Sequence, residues 1–221
     1  MNSLKNIIEN NFPIYECVLP FSKKTVKFNP FKVKDAKNIS LILSENSKKI
    51  SLNGMIDLLK SNSKGINVHD LCLADAEYLF LCMRAKSVGE TINLILNKKT
   101  ISINIQDIKF KNCLNEKTIK INENFYIEIK TPTIELLSKT NIDDKIDYIK
   151  CFISKITVKN EIFDFKKFVP EDIKESLENL PLSFLNEMEK EFKLQPELYI
   201  NIDTEEGERE VSGILSFFTY P

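Results

Sequence analysis

The sequence predicts an α+β chain: an N-terminal hairpin and helices, a central antiparallel meander, and C-terminal helices closed by a second hairpin. Three observations predict it. Apolar residues recur at helical spacing between residues 31 and 89; the period becomes two from 91 to 131; helical spacing then returns until a last pair of alternating runs. No internal repeat, low-complexity tract or Pro/Gly/Ser-rich linker interrupts the chain. Two subdomains, 1–131 and 132–221, packed as one unit, follow from that pattern.

YECVLPF and KTVKFNPF read as two short strands joined at Ser22-Lys23-Lys24. FKVKDAKNISLILSENSKKI changes to helical period, with Val33, Ala36, Ile39 or Ser40, and Leu43 along one side. SLNGMIDLLKSNSKG follows as a short helix, apolar at Leu52, Met55 or Ile56, and Leu59, and the run 62–65 stops it. In INVHDLCLADAEYLFLCMRAKSVGE, Ala76, Leu79, Phe80 and Met83 fall at i, i+3, i+4 and i+7. Leu81 and Cys82 widen that arc, so this helix is predicted to be buried on most sides. Asp70 or Asp75 is placed to satisfy free N–H groups at its start, and Gly89 to supply a left-handed residue beyond its end.

TINLILN, KTISINIQDIKF, EKTIKIN and NFYIEIKTP alternate apolar with polar residues, as strands of a sheet with one wet face do. Turn signals stand at Asn97-Lys98-Lys99 and Asn122-Glu123-Asn124. A short helix is predicted from Pro132 to Lys139, then one over IDDKIDYIKCFISKI with Ile146, Ile149 and Ile153 inward. PEDIKESLENL opens with proline and acids, a helix start. PLSFLNEMEKEFKL lines up Phe184, Leu185, Met188 and Phe192 on one face. PELYINID and EREVSGILSFF close the chain as a hairpin around Glu205-Glu206-Gly207.

With 221 residues, 43% hydrophobic and 29% charged, the chain has the composition of a globular protein able to bury a core. The net charge of −1 gives no long-range positive field, which disfavours nucleic-acid or membrane-surface binding driven by charge. Runs such as LFLCM are too short to span a bilayer, and MNSLKNIIENNFP has no apolar signal core. Five irregularly spaced cysteines read as free thiols in a reducing compartment. A soluble, intracellular protein is therefore expected where it is made.

Catalytic constellations are scarce. Any Ser-His-Asp or Cys-His arrangement would run through the single histidine, His69, whose neighbours Val68 and Asp70 suggest a capping or surface role. No CxxC, HxxxH or HExxH is present, and Cys72 and Cys82 lie about 15 Å apart on one helix, too far to share zinc. The five glycines form no phosphate loop. Asp143-Asp144 and the cluster Glu205, Glu206, Glu208 are the dense acids; they would serve either a Mg²⁺-dependent enzyme or merely a helix start and a solvated turn. The 15 Phe and 6 Tyr follow core periodicities and do not interleave with basic residues.

Arginine is the more informative signal. Of 31 basic residues only Arg84 and Arg209 are arginine, and Arg84 ends an apolar helix just before Ser87-Val88-Gly89. A solvated face would be served by lysine, which this chain uses almost everywhere else, so the position calls for a planar, always charged group able to grip two partners. Arg84 lies nine residues, about two and a half turns, after Asp75, beyond intrahelical pairing. Its guanidinium either clamps the helix end to the following strand or recognises a partner.

The ordered set Leu71, Asp75, Tyr78, Leu79, Arg84, Ser87 and Gly89 resembles the signature of the baseplate hub proteins of T-even-type contractile-tailed phages. LPFSKKTVKFNPFKVKDAKNI looks like that family's opening, NGMIDLLKSN like its next helix, YIEIKTPT like its Pro-Thr step after a strand, and PELYINIDTEEGEREVSGILSFF like its carboxyl end. Relatives carry Cys-x-x-Cys pairs that would suit structural zinc; here the matching stretches, LILNKKTISI and NIDTEEGEREV, have no cysteine. If those pairs bind metal in relatives, this chain lacks that site, and the census of residues above leads to the expectation of no cofactor, no metal and no enzymatic activity. The resemblance implies a structural or assembly component of the central hub, met in the host cytoplasm during assembly or in the tail baseplate, with an assembly chaperone absent from the virion as the alternative. Its partners would be other baseplate and hub proteins, with no nucleic acid and no membrane, and self-association within the baseplate is left open. Candidate contact residues are Phe12 and Pro13 near the start and Phe217, Phe218 and Tyr220 at the end.

Overall fold

A computed structural model of the chain describes residue 8 and residues 11–44, 48–96, 99–112, 116–204 and 207–212. Among the described residues, 7 helices and 12 strands in antiparallel sheets make a mixed α+β fold without a barrel. No described helix is long and apolar enough to cross a membrane.

The first hairpin forms where the turn residues place it. β1 (Tyr15–Val18) and β2 (Thr25–Phe28) pair antiparallel, and the turn is closed by Leu19 N donating to Lys24 O at 2.9 Å with Lys23 at φ 58°. Val26 and Phe28 alternate into the core. A two-residue β3 (Ser63–Lys64) adds to β2, so the run 62–65 both stops a helix and starts a strand.

α1 (Ala36–Ser44) starts later and faces differently from the sequence expectation. Residues 33–35 form a 3₁₀ turn, Val33 is 95% exposed, Ala36 and Ser40 are exposed, and Asp35, Ile39 and Ile42 turn inward. The cause is polar. The buried Asp35 carboxylate accepts from Lys32 N at 2.8 Å and from Asn62 Nδ2 at 3.3 Å, which rotates this entry segment about its axis. Leu43 lies outside the described side chains. α2 (Lys48–Asn62) buries Leu52, Met55, Ile56 and Leu59, as its spacing predicts.

α3 (Leu73–Val88) runs between two apolar cores. Ala76, Leu79, Phe80 and Met83 enter the larger one, with Phe28, Leu59, Ile127, Phe152, Phe184 and Met188. Leu81 enters the smaller one, with Ile92, Ile103, Leu198, Ile200 and Ile202, and Tyr78 touches both. A helix packed on two sides has little polar face to show, hence its nearly continuous apolar sequence.

The central strands are partitioned differently from a 91–131 meander. β4 (Thr91–Leu96) and β5 (Lys99–Asn104) make a separate two-stranded hairpin in the register Leu96↔Lys99; Asn97 and Lys98 lie outside the described residues. β6 (Lys109–Lys111) joins the closing hairpin. The meander is β7 (Lys117–Asn122), β8 (Phe125–Ile129), β9 (Ile153–Val158) and β10 (Glu161–Asp164), in the order β10-β9-β8-β7.

Thus IDDKIDYIKCFISKI is not one helix: α5 spans only Lys145–Lys150 and ISKI opens β9. Ile146, Ile149 and Ile153 do turn toward the core, but from two elements. The β9–β10 turn is Lys159-Asn160, both at positive φ (47° and 70°), the mirror-image turn whose twist matches a hairpin.

α4 (Ile134–Lys139) is capped by Thr133 Oγ1, which accepts from Leu136 N at 3.4 Å. α6 (Pro170–Glu178) starts on its proline, and α7 (Leu182–Phe192) buries Phe184 and Met188 with Leu185 and Phe192 packed beside them. β11 (Glu197–Thr204) and β12 (Gly207–Ser212) form the closing hairpin.

Candidate functional site

Neither acid proposed as the α3 cap acts as one. The residue before the helix, Cys72, makes no side-chain cap, and Asp70 accepts from Asn67 Nδ2 at 2.9 Å in the preceding 3₁₀ turn. Asp75, 0% exposed, instead reaches across to the first hairpin: Oδ1 accepts from Phe21 N at 2.8 Å and Oδ2 from Ser22 N at 2.9 Å. A carboxylate with an N–H on each oxygen is a charge-assisted pair, held here without competing water.

At the other end of α3, Ser87 Oγ accepts from Phe31 N at 2.7 Å and donates to Met83 O at 2.6 Å. Arg84 Nη1 donates to Gly89 O at 2.9 Å and to Thr91 O at 3.2 Å. Partial burial of that guanidinium pushes its pKa below the usual arginine value. Gly89 caps the helix through its N–H to Ala85 O at 3.1 Å, with φ 112° and ψ 163°, a conformation with extended ψ that favours glycine. Leu71 and Leu79 are buried, and Leu71 O accepts from Ile134 N at 2.8 Å. Asp75, Arg84 and Ser87 on α3 and its cap Gly89 thus each touch a backbone segment of a neighbouring element or of the helix end.

Glu90 extends this line. It pairs with Lys86 at 3.0 Å and accepts from Gln106 Nε2 at 2.8 Å. Its hydrogen bond with Lys86 holds the Glu90 carboxyl below the usual carboxylate range and raises Lys86.

The acids considered for metal chemistry are occupied or apart. Asp144 caps α5, Oδ1 accepting from Ile146 N at 2.9 Å and Asp147 N at 3.1 Å, while Oδ2 accepts from Lys174 at 3.0 Å. Asp143 is exposed, its N–H donating to Asn141 Oδ1 at 3.4 Å; Glu208 stands on β12 opposite Asp203; Glu205 and Glu206 lie outside the described residues. Among the described residues no group of three His, Cys, Asp or Glu could hold a metal ion. An open cleft of about 520 Å³ is lined by Asn53, Asp57, His69, Glu135, Ser138 and Lys139, and Lys139 pairs with Glu135 at 2.6 Å across its rim.

Of the proposed contact residues, Phe12 is half-buried with Lys32 Nζ 5.4 Å from its ring centre, and Pro13 is exposed with its carbonyl accepting from Asn29 Nδ2 at 2.8 Å. Phe217, Phe218 and Tyr220 lie outside the described residues.

Sequence reasoning missed an apolar exposed edge. β10 ends the order β10-β9-β8-β7, so its outer side has no strand neighbour among the described residues. Ile162 (66% exposed) projects from one face and Phe163 from the other; Phe168, 6.1 Å from Phe163 ring to ring, and exposed Val169 continue it. Exposed apolar groups on an unpaired edge are features from which an added strand can gain contacts. The signal was VKNEIF: two β-rich runs about an Asn-containing pair.

The family profile described as T4 bacteriophage base plate protein matches residues 12–219. No curated protein and no solved structure gives a match.

Proposed function

The chain belongs to the T4 bacteriophage base plate protein family, and from that premise we propose that it is a non-enzymatic component of the baseplate's central hub, working through protein–protein contacts. The observation that carries this reading is the β10 edge, an unpaired strand with Ile162 and Phe163 exposed on its two faces. Such an edge offers main-chain groups for affinity and alternate side chains for specificity to an added strand. Glu161 and Asp164 end the strand. Glu161 is exposed at the start of that strand, so a strand of a different chain carrying lysine or arginine opposite it would suit this edge. The contacts of Asp75, Ser87 and Arg84 support an internal role for the motif residues: they fasten the first hairpin, the α1 entry and β4 to one helix, which Gly89 caps.

The test is co-expression with the other baseplate proteins, sizing of the complexes, and quantitative mass spectrometry of purified tails. A stoichiometric complex and fixed copies per tail are the expected result. No complex with any baseplate protein overturns the reading; a complex during assembly without copies in tails replaces it with the chaperone alternative.

A further inference from the structure

β1 runs alongside α3 in a register set at both ends. Phe21 and Ser22, just past β1, sit on Asp75 at 2.8 and 2.9 Å, and at the strand's start the Lys86 ammonium stands 5.7 Å from the centre of the Tyr15 ring. Tyr15 and Cys17 are the two half-buried positions of β1, between exposed Glu16 and Val18, so both face the helix. On α3, Asp75, Tyr78, Cys82 and Lys86 follow at helical spacing along one stripe. The register thus sets Cys17 against Cys82. Tyr78 stands one turn from Cys82 on the same stripe, and the two sulfurs and the phenol lie near enough to shift one another's ionisation. Both cysteines are free and half-buried, on neither side wholly enclosed.

We propose that Cys17 and Cys82 form a redox-active dithiol which a small-molecule disulfide converts into an intramolecular disulfide pinning β1 to α3. The Cys82 thiolate attacks one sulfur of the small disulfide, forming a mixed disulfide and expelling one small thiolate, which takes up a proton. Cys17, deprotonated in turn, attacks the Cys82 sulfur and expels the second. Two protein thiols are oxidised, and one disulfide is reduced to two thiols.

The order of attack follows from the surroundings. The Cys17 thiol, the Tyr78 hydroxyl and the Lys86 charge all favour a thiolate at Cys82 and lower its pKa. The neighbouring Cys82 sulfur, burial and the charge of Asp75 keep Cys17 protonated. Burial pushes the Cys72 thiol up to about 12 and raises Cys151, whose sulfur contacts Thr140 Oγ1 at 2.9 Å, so both are poor nucleophiles. A reducing compartment would hold the pair open and an oxidising medium would close it.

The experiment treats the full native chain with oxidised glutathione, quenches with acid and an alkylating agent, and maps peptides by mass spectrometry. The expected product links the Cys17 and Cys82 peptides, is reversed by dithiothreitol, and forms roughly tenfold or more faster than any modification of Cys72 or Cys151. C17A stops at a glutathione adduct on Cys82, and C82A leaves Cys17 unmodified on that timescale; circular dichroism checks that both variants fold. Absence of the linked peptide, linkage through another cysteine, or modification of Cys17 in C82A at the wild-type rate overturns the proposal.

Discussion

Asp75 and Phe21 are joined across 54 residues of sequence by a 2.8 Å hydrogen bond from the Phe21 N–H to a carboxylate that has no solvent exposure. With Ser22 N on the other oxygen, one side chain of α3 satisfies two turn donors of the first hairpin. Removing the carboxylate strands both N–H groups. Asp75→Ala should therefore lower stability by about 2–4 kcal/mol, read by urea denaturation. Asp75→Asn, which offers an acceptor on one side only, should cost less; a loss below 1 kcal/mol for Ala would refute the assignment.

Arg84 Nη1 reaches Gly89 O and Thr91 O together, with its stem half-buried. A lysine ammonium can approach these carbonyls but lacks the planar fork and loses more freedom on being held there. Arg84→Lys should cost about 1–2 kcal/mol, whereas Lys37→Ala on the exposed face of α1 should stay within about 0.5 kcal/mol. Equal melting temperatures for the two variants contradict the clamp.

Two glycines separate conformational from steric strain. A Cβ on Gly89 meets nothing within 4 Å, so Gly89→Ala should cost about 1–3 kcal/mol through its φ of 112° alone. A Cβ on Gly54 would stand 2.7 Å from Ile42 Cγ1, where α2 meets α1. Alanine there gains about 1 kcal/mol of helix propensity and loses about 1–3 to overpacking. Gly54→Ala should thus be neutral to destabilising, and it should cost less in an Ile42→Ala background, where Cγ1 is absent, than in the wild type.

Asp144 supplies a pH signature. Its bonds from the Asp147 and Ile146 N–H groups and from Lys174 hold its pKa below the ordinary carboxylate value. A carboxyl with a depressed folded pKa contributes stability fully above its unfolded value, near 3.9, and loses it as pH falls through the folded value. Asp144→Ala should lower the melting temperature at pH 7, and the gap to wild type should shrink below about pH 4. A gap that is constant from pH 7 to pH 2 contradicts this.

Ile162 is 66% exposed and makes little of the core. Ile162→Lys should leave stability within about 0.5 kcal/mol yet abolish co-elution with the partner baseplate protein. Unchanged co-elution moves the contact surface elsewhere.

The amino-acid order by itself determined the mixed α+β class, the terminal hairpins, the amphipathic faces of α2 and α7, and the importance of the α3 run. These rest on local quantities: periodicity, turn residues and a retained arginine or glycine. Tertiary structure decided what local patterns leave degenerate. Ile146, Ile149 and Ile153 satisfy helical spacing equally well whether or not the chain breaks at Cys151, and only pairing of β9 with β8 makes the strand. The face of α1 was settled by Asp35 meeting Asn62 and that of Asp75 by the distant Phe21 N–H. Hydrogen-bond partners and sheet neighbours lie tens of residues away, and a one-dimensional pattern carries no term for such distances.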